Sequence, residues 1–394
     1  MLKRSYWLAL SVFIISGCAS VRHAVPEDLL NNARIFGMQD IRAFSGIPSD
    51  IFKRDFVALL EREEKNDPSF FNFKASRTYF MLAISGGAAN GAYGAGLLNG
   101  WSKSGTRPVF KAVTGISTGA MIAPFAFLGS KYDDKLKEFY TKHSTKDVIR
   151  IRIPFINSFV STRPLERLIE RYCDAGLLKE IAIEHKKGRR LYVGTTNLDA
   201  QRLVIWDMGK IASIGDDKAL KLFRKIILAS SSIPVVFPPV YLSVEVNNKK
   251  YDEMHVDGGI SKQVFFLYGV LQGFDKALKE KGVDISKIKY EIYVIRNGYV
   301  DPLYKEIPDK LSAIAERTVD TMANAQSVGD LYQLYVFAKD GKGDFNLAYI
   351  PATHILNAKE LFDPTEMRKL FDLGFKEAAA GYNWKKAPPG IGED

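Results

Sequence analysis

Ser117 is the residue whose sequence surroundings best suit a nucleophile, because it stands in the pentapeptide Gly115-Ile116-Ser117-Thr118-Gly119. Residues 109–114 before it predict a short buried strand, and residues 120–128 after it predict a mostly apolar helix. In such a strand–turn–helix, Gly115 and Gly119 allow a sharp turn that holds the serine Oγ toward a substrate. The helix N-terminus behind the serine favours negative charge on a reacting carbonyl oxygen. The pattern therefore predicts acyl transfer at Ser117, although similar pentapeptides also occur in ordinary turns.

A second group of small residues, segment 85–91 with the sequence SGGAANG, follows an uninterrupted apolar run at 79–84. The run predicts a strand buried on both faces of a parallel sheet. Small residues after such a strand leave backbone N–H groups free to converge on one point, as an oxyanion hole requires. The alternative is a dinucleotide-binding loop. We favour the oxyanion hole, because the spacing Gly86-x-Ala88-x-x-Gly91 is degenerate and the next predicted strand lacks an acidic residue for a ribose.

A base must also remove the proton of the serine hydroxyl, and the chain offers two kinds of residue for this step. His354 comes late in the chain, as the histidine of a Ser–Asp–His order would. Asp257 lies in His255-Val256-Asp257-Gly258-Gly259, at the end of a predicted strand and in an open loop. Asp-Gly-Gly is also a common turn. The residues alone therefore leave the choice between His354 and Asp257 open.

Taken together, these segments resemble the patatin-like phospholipase family, in particular its bacterial lipoprotein-type members. The family carries a glycine-rich oxyanion loop, then G-x-S-x-G, then Asp-Gly-Gly or Asp-Gly-Ala, and the matching segments here follow in that order. They are 85–91, 115–119 and 257–259. Further segments that fit the resemblance are 195–199, 229–239, 362–364 and 381–382. The resemblance covers about residues 78–384.

The resemblance implies a Ser117–Asp257 dyad without histidine, which would leave His255 and His354 with structural roles. Asp is a weak base at its ordinary pKa near 4, so desolvation and close positioning would have to compensate. The implied activity is that of a serine acyl hydrolase, similar to phospholipase A or lysophospholipase, acting on phospholipid or other acyl esters. No cofactor or metal is implied, and the chain has no H-E-x-x-H segment, cysteine cluster or calcium-loop pattern.

The resemblance also implies that backbone N–H groups of Gly86, Gly87 and Ala88 form the oxyanion hole. The motif residues that would support the site are Asn90, Gly91, Gly115, Gly119, Gly258 and Gly259. Three positions depart from the family pattern, because Ser85 replaces an Asp, Ala88 replaces a Gly and Asn90 replaces an Arg or Lys. Ala88 can still donate its N–H if its backbone avoids positive φ. The missing charge at Asn90 affects the expected headgroup preference more than the expected catalysis.

The order strand, glycine loop, helix, strand, serine turn and helix predicts an α/β fold. The resemblance implies a patatin-like three-layer α/β/α arrangement with a mostly parallel central sheet. Further strands are predicted at 190–195, 202–206, 240–246 and 290–296, and helices at 51–65, 216–229, 311–339 and 364–381. Four aromatic side chains are candidates for an acyl groove: Phe155, Phe159, Phe237 and Phe265.

The N-terminal residues 1–17 predict a signal peptide, because Lys3 and Arg4 precede an apolar core too short to span a bilayer easily. Two small residues precede Cys18, as in the bacterial lipobox, where the cysteine is lipid-modified and becomes the mature N-terminus. The alternative is a plain secretory signal with an incidental cysteine. Since Ala19 rather than Asp follows Cys18, we expect a cell-envelope lipoprotein anchored in the outer membrane. Cys173 would then have no disulfide partner and is expected to be buried.

The predicted organisation is a signal peptide at 1–17, a lipid-anchored tether with a helical segment at 18–75, a patatin-like domain at 76–385 and a tail at 386–394. The chain of 394 residues has a formal net charge of +10, with its basic residues evenly spread. Nucleic acid is an improbable partner for an exported lipoprotein, and the sequence does not indicate an oligomeric state. Two alternatives to the hydrolase stay open. They are a lipid transacylase and a non-catalytic envelope lipoprotein that binds lipid or a partner.

Overall fold

The computed structural model describes residues 22–47, 50–66, 77–151, 160–234, 236–267, 278–341 and 343–391, together with residue 276. Within these ranges a central sheet has the strand order β1-β7-β6-β3-β2-β10-β11, with β9 pairing with both β6 and β8. A separate small ribbon joins β4 and β5. The strands are β1 Arg42–Phe44, β2 Arg77–Ile84, β3 Ala112–Ile116, β4 Arg150–Ile151, β5 Val160–Ser161, β6 Arg190–Asn197, β7 Arg202–Asp207, β8 Val240–Val246, β9 Lys249–Asp257, β10 Ile288–Arg296 and β11 Asp344–Tyr349.

The middle of the sheet is parallel, since β6, β3, β2, β10 and β11 all run in the same direction. Antiparallel strands are added at β6, where β7 pairs along one edge and β9 pairs near the other. The apolar run of β2 is buried on both faces at its C-terminal end, as the sequence predicts for a central parallel strand. These pairings confirm the predicted α/β fold with a mostly parallel sheet.

Helices cover both faces of this sheet. The alternation along β2 separates the two faces, because Leu82 and Ile84 belong to one core cluster while Ala83 belongs to another. The helices are α1 Ile51–Asn66, α2 Gly91–Lys103, α3 Thr118–Leu128, α4 Asp133–Lys142, α5 Thr145–Val148, α6 Arg163–Tyr172, α7 Ala175–Lys186, α8 Met208–Ile214, α9 Asp217–Ser230, α10 Leu311–Asp340 and α11 Pro364–Ala379. The first face packs against α2, α3, α7, α9 and α11, and the second packs against α1 and α10. The result is the predicted three-layer arrangement.

Several helices begin where a carboxylate caps free backbone N–H groups. The Asp216 side chain accepts a hydrogen bond from the Ala219 N–H at the start of α9, and Asp363 caps α11 in the same way. Cys173 follows α6 and is buried, as predicted. Within the described ranges, each helix is too short or too polar to cross a lipid bilayer.

The segment before α1 packs against the rest of the fold from residue 22 onward. Strand β1 pairs with β7 and so extends the sheet. Ile35, Ile41 and Phe44 are buried in the main core. Arg42 forms a buried ion pair with Glu253 of β9, so backbone pairing, apolar burial and charge all hold this segment in place. The predicted signal peptide and Cys18 lie outside the described residues.

Candidate active site

The two predicted catalytic residues lie where two strands meet end to end on one edge of β6. Strand β3 pairs with β6 in parallel up to Ile116 opposite Gly194. Strand β9 pairs with the next part of β6 in antiparallel fashion, with Asp257 opposite Thr195. Because β3 and β9 approach β6 from opposite directions, their C-terminal ends meet. This junction brings Ser117, the residue after β3, close to Asp257 although 140 positions separate them in the sequence.

The backbone of Ser117 turns sharply between β3 and α3. Its φ of 55° and ψ of −124° lie in a region that residues with a side chain rarely adopt, and such a conformation costs about 1–3 kcal/mol. Gly119 allows the turn, because a side chain there would collide with the carbonyl of Ile84. The Ser117 N–H donates to the Ser230 Oγ at 2.9 Å, and the Ser230 hydroxyl donates to the Gly194 carbonyl at 2.7 Å. These contacts hold the strained turn in place, as expected for a nucleophile elbow.

Asp257 is buried at this turn, with 4% of its surface exposed. Its carboxylate accepts a hydrogen bond from the Gly259 N–H at 2.7 Å, and its own N–H donates to the Ser232 carbonyl at 2.9 Å. Burial raises the pKa of Asp257 from 3.8 to about 7, while hydrogen bonding from Ser117 and Gly259 partly opposes this rise. A carboxylate with a pKa near neutrality is well matched to accept a proton at physiological pH.

The glycine-rich loop offers two of its three predicted oxyanion donors. The Gly86 N–H donates to the Gln263 carbonyl at 3.1 Å, so the prediction of Gly86 as an oxyanion donor is wrong for this structure. Among the described residues, no acceptor binds the N–H of Gly87 or of Ala88. Ala88 has a φ of 47°, so the condition stated from the sequence for its N–H donation, a backbone that avoids positive φ, is not met. The left-handed turn there adds strain but leaves the Ala88 N–H available.

Part of the chain matches a known protein family. Residues 82–268 match the family model of the patatin-like phospholipases. The crystal structure of VipD from Legionella pneumophila is similar over 75% of this chain and 67% of that chain, with 14% sequence identity and a TM-score of 0.30. No curated protein matches the chain significantly. Both Ser117 and Asp257 fall inside the matched residues, and this match supports lipid acyl hydrolase activity in general.

The other motif residues predicted from the sequence lie in the elements next to Ser117 and Asp257. Asn90 ends a short 3₁₀ turn and donates its N–H to the Gly87 carbonyl at 2.9 Å, and Gly91 begins α2. Gly115 lies in β3 next to Ile116. Gly258 and Gly259 form a 3₁₀ turn directly after Asp257, which directs the Gly259 N–H back to the carboxylate.

The two histidines considered as bases contact other groups. The His255 side chain is fully buried, with Nδ1 at 2.9 Å from the Thr195 Oγ1 and Nε2 at 3.0 Å from the Glu253 carboxylate. Its ring nitrogens are therefore both engaged. The backbone carbonyl of His354 accepts a hydrogen bond from the Tyr299 hydroxyl. Neither histidine is hydrogen-bonded to Ser117 among the described residues, and these contacts favour structural roles for both.

A largely apolar cavity opens beside Ser117. It contains about 560 Å³ of empty space, including its open mouth. Ser117, Thr118 and Ala88 are among its lining residues. The remaining lining residues are Met121, Phe139, Tyr140, His143, Val148, Leu165, Leu168, Ser231, Ile233, Phe237, Phe362 and Met367. A hydrocarbon chain is the natural occupant of such a surface.

One of the four predicted groove residues, Phe237, lines this cavity. Phe265 packs instead with Ile116 and Tyr192 in a core cluster on the second face of the sheet. Phe155 and Phe159 lie outside the described residues. Aromatic content alone could not separate these positions, because the side of the sheet that a phenylalanine faces depends on distant strand pairing.

Three residues near the nucleophile were missed by the sequence reasoning. Ser230 fixes the Ser117 N–H, and Gln263 fixes Gly86 through its backbone carbonyl. Thr118 begins α3, and its N–H has no acceptor among the described residues, so this N–H is available as a further donor. The family-like segment 229–239 contains Ser230 and was a signal for it. Nothing in the sequence pointed to Gln263.

Proposed function

We propose that the protein is a serine acyl hydrolase that cleaves fatty-acyl esters of membrane lipids through Ser117 and Asp257. The observation that carries this proposal is a buried carboxylate next to a strained serine that lines a largely apolar cavity. The match of residues 82–268 to the patatin-like phospholipases supports the same general chemistry. Phospholipids and lysophospholipids are the substrates that this combination fits best.

In the proposed reaction, Asp257 accepts the proton of the Ser117 hydroxyl as the serine Oγ attacks the ester carbonyl. The oxygen of the tetrahedral intermediate is stabilised by the N–H groups of Gly87 and Ala88, with Thr118 as a third donor. Each donor of this kind contributes about 100-fold to 1000-fold in kcat, and a positioned base contributes about 100-fold to 10,000-fold. Protonated Asp257 then gives its proton to the leaving alkoxide, and the acyl group remains on Ser117.

Deacylation reverses these roles, with water in place of the serine hydroxyl. Asp257 takes a proton from the water as it attacks the acyl carbonyl, and the proton returns to Ser117 as the fatty acid leaves. The acyl chain would occupy the cavity throughout, because each buried methylene group contributes about 0.8 kcal/mol. A long chain is therefore held more strongly than a short one.

Product analysis with a phospholipid labelled in one acyl chain tests this proposal. We expect free labelled fatty acid and a lysolipid, with or without an added acceptor alcohol. Label that appears only on the acceptor alcohol would favour the lipid transacylase. If neither product forms, and a fluorophosphonate probe fails to label Ser117, the non-catalytic alternative would replace the hydrolase. A Ser130→Ala variant is the matched control, because Ser130 lies in a 3₁₀ turn after α3 and away from the cavity lining.

We also propose that Cys18 carries a lipid that anchors the protein to the bacterial outer membrane. The lipobox-like sequence supports this. Arg22 forms an ion pair of 2.7 Å with Asp199 on the domain, so the four residues from Cys18 to Arg22 could span at most about 14 Å. A lipid on Cys18 would hold the catalytic domain close to its substrate surface.

Labelling of cells with a clickable fatty acid, followed by membrane fractionation, tests the anchor. We expect the Cys18→Ser variant to lose both the label and its place in the outer membrane fraction. The Cys173→Ser variant should keep both, because Cys173 is buried and its burial raises the thiol pKa to about 12. Labelling that survives in Cys18→Ser would contradict the proposal.

A further inference from the structure

Gly86 is held at both of its backbone polar groups. Its N–H donates to the Gln263 carbonyl at 3.1 Å. Its carbonyl accepts hydrogen bonds from the Ser85 hydroxyl at 2.7 Å and from the Arg296 Nη1 at 3.2 Å. Gln263 is itself fixed, because its N–H donates to the buried Asp330 carboxylate at 2.7 Å. The two peptide groups on either side of the Gly86 Cα are therefore each hydrogen-bonded to a residue outside the loop, the first to Gln263 and the second to Arg296.

Arg296 is an unusual residue for its position at the end of β10. Only 8% of its surface is exposed, and it has no ion pair with any described residue. Its Nε has no hydrogen-bond partner among the described residues. Burial lowers the pKa of Arg296 to about 10, with Asp330 partly opposing the change, so the guanidinium stays charged at neutral pH. A buried charge without a paired carboxylate is costly.

The contacts of Arg296 converge on the loop. Its Nη1 also approaches the Ser85 Oγ at 3.3 Å, and the following residue, Asn297, donates its N–H to the same Oγ at 2.9 Å. The Asn297 side chain donates to the Ser85 carbonyl at 2.9 Å. The loop 85–91 itself contains no charged residue. Arg296 therefore supplies a cation from a neighbouring strand.

The geometry of a trans peptide gives this contact a consequence at the next residue. In such a peptide the C=O and the following N–H point in opposite directions within one plane. A hydrogen bond from Arg296 to the Gly86 carbonyl thus directs the Gly87 N–H away from Arg296. Gly86 lies against the nucleophile, since a Cβ atom built on Gly86 would be 3.2 Å from the Ser117 Cβ. The charge also polarises the peptide and strengthens the Gly87 N–H as a donor.

We propose that Arg296 is a positioning residue of the oxyanion hole, which orients the Gly86–Gly87 peptide so that the Gly87 N–H faces the substrate oxygen. This inference rests on the proposed acyl hydrolase function. Arg296 acts through the peptide and does not touch the substrate. Its removal should therefore slow the chemical step without weakening the binding of the acyl chain.

The test compares Arg296→Met and Arg296→Lys with wild type, in the full-length protein, using a soluble acyl ester and a fluorophosphonate. We expect Arg296→Met to lower kcat and the rate of Ser117 phosphonylation by about 100-fold, with KM changed less than threefold. Arg296→Lys keeps the charge but lacks the planar fork, so it should recover part of the loss. The matched controls are Arg107→Met and Arg107→Lys, because the Arg107 side chain is 5% exposed and donates to the Ala126 carbonyl at 2.9 Å. They should leave kcat per folded protein unchanged.

Two outcomes would overturn the proposal in distinguishable ways. If the wild-type protein neither hydrolyses the ester nor reacts with the fluorophosphonate, both the hydrolase function and the positioning role of Arg296 are contradicted. An active wild type whose folded Arg296→Met variant keeps its kcat overturns the positioning role alone. If Arg296→Met does not fold, the kcat of Arg296→Lys tests the positioning role instead. An unchanged kcat in that variant, or a loss of kcat equal to that of Arg107→Lys, contradicts the proposal.

Discussion

Hydrolysis should slow as the pH falls below about 7, because Asp257 must be ionised to act as a base. Burial raises the pKa of this carboxyl from 3.8 to about 7. This rise in pKa makes ionisation of Asp257 in the folded protein about 4 kcal/mol less favourable. At pH 5 about 1% of the Asp257 side chains would be ionised, so kcat/KM should be about 100-fold lower there than above pH 8.

The assay is kcat/KM for a soluble short-chain ester between pH 4.5 and 9, which avoids any effect of pH on vesicles. His143 lines the same cavity and is a second titratable group beside Ser117, with its pKa lowered from the ordinary 6.5 by burial. The His143→Asn variant is therefore measured in parallel, and its kcat/KM should still fall as the pH drops below about 7. If kcat/KM stays constant down to pH 5, the role given to buried Asp257 is refuted. If the fall of kcat/KM at acidic pH disappears in His143→Asn, the titrating group is the histidine.

The same pKa shift has a thermodynamic consequence with a defined sign. Between about pH 4 and pH 7, the folded state keeps a proton on Asp257 that the unfolded state has already released. The free energy of unfolding should therefore fall as pH rises through this window, by up to about 4 kcal/mol. The Asp257→Asn variant lacks this contribution, so its stability relative to wild type should increase from pH 4 to pH 8. If the free energies of unfolding of wild type and Asp257→Asn, measured by urea denaturation, change in parallel from pH 4 to pH 8, the raised pKa of Asp257 is contradicted.

Three further predictions concern the surroundings of the site. Ser230→Ala removes the acceptor of the Ser117 N–H. We expect about 1–3 kcal/mol lower stability in urea denaturation and about tenfold lower kcat. An unchanged kcat would show that the turn at Ser117 does not need this hydrogen bond. Leu168→Trp narrows the apolar cavity and should lower the ratio of long-chain to short-chain ester hydrolysis at least about tenfold, whereas a constant ratio would place the acyl chain elsewhere. Arg42→Met leaves the buried Glu253 carboxylate without its cation and should cost about 3–5 kcal/mol of stability, and a loss below about 1 kcal/mol would contradict the importance of this pair.

Much of the fold could be predicted because its signals are local. The predicted strand at 240–246 coincides with β8, and the predicted helix at 311–339 ends one residue before α10 does. Apolar runs, helix caps and glycines each act over a few residues. The elbow and the glycine-rich loop were found for the same reason, because a tight turn restricts which residues fit at its own positions.

The rest of the site depends on contacts between distant parts of the chain. The antiparallel entry of β9 beside β3 brings Asp257 to Ser117, and the sequence reasoning reached this pair only through a family resemblance. The bond from Gly86 to Gln263 joins residues 177 positions apart, so no local pattern could show that this N–H is occupied. Arg296 was overlooked for a related reason. Its charge suggests a surface residue until the strand order places it in the core.

The central claim is that Ser117 and Asp257 act together, and fatty-acid release by single variants tests it most directly. Wild type, Ser117→Ala and Asp257→Asn, each shown to be folded by circular dichroism, are compared on phospholipid vesicles and on a short-chain ester at pH 8. The account predicts fatty-acid release by wild type and a loss of at least about 1000-fold in both variants. Activity that disappears in Ser117→Ala but survives in Asp257→Asn would contradict the dyad and require another base.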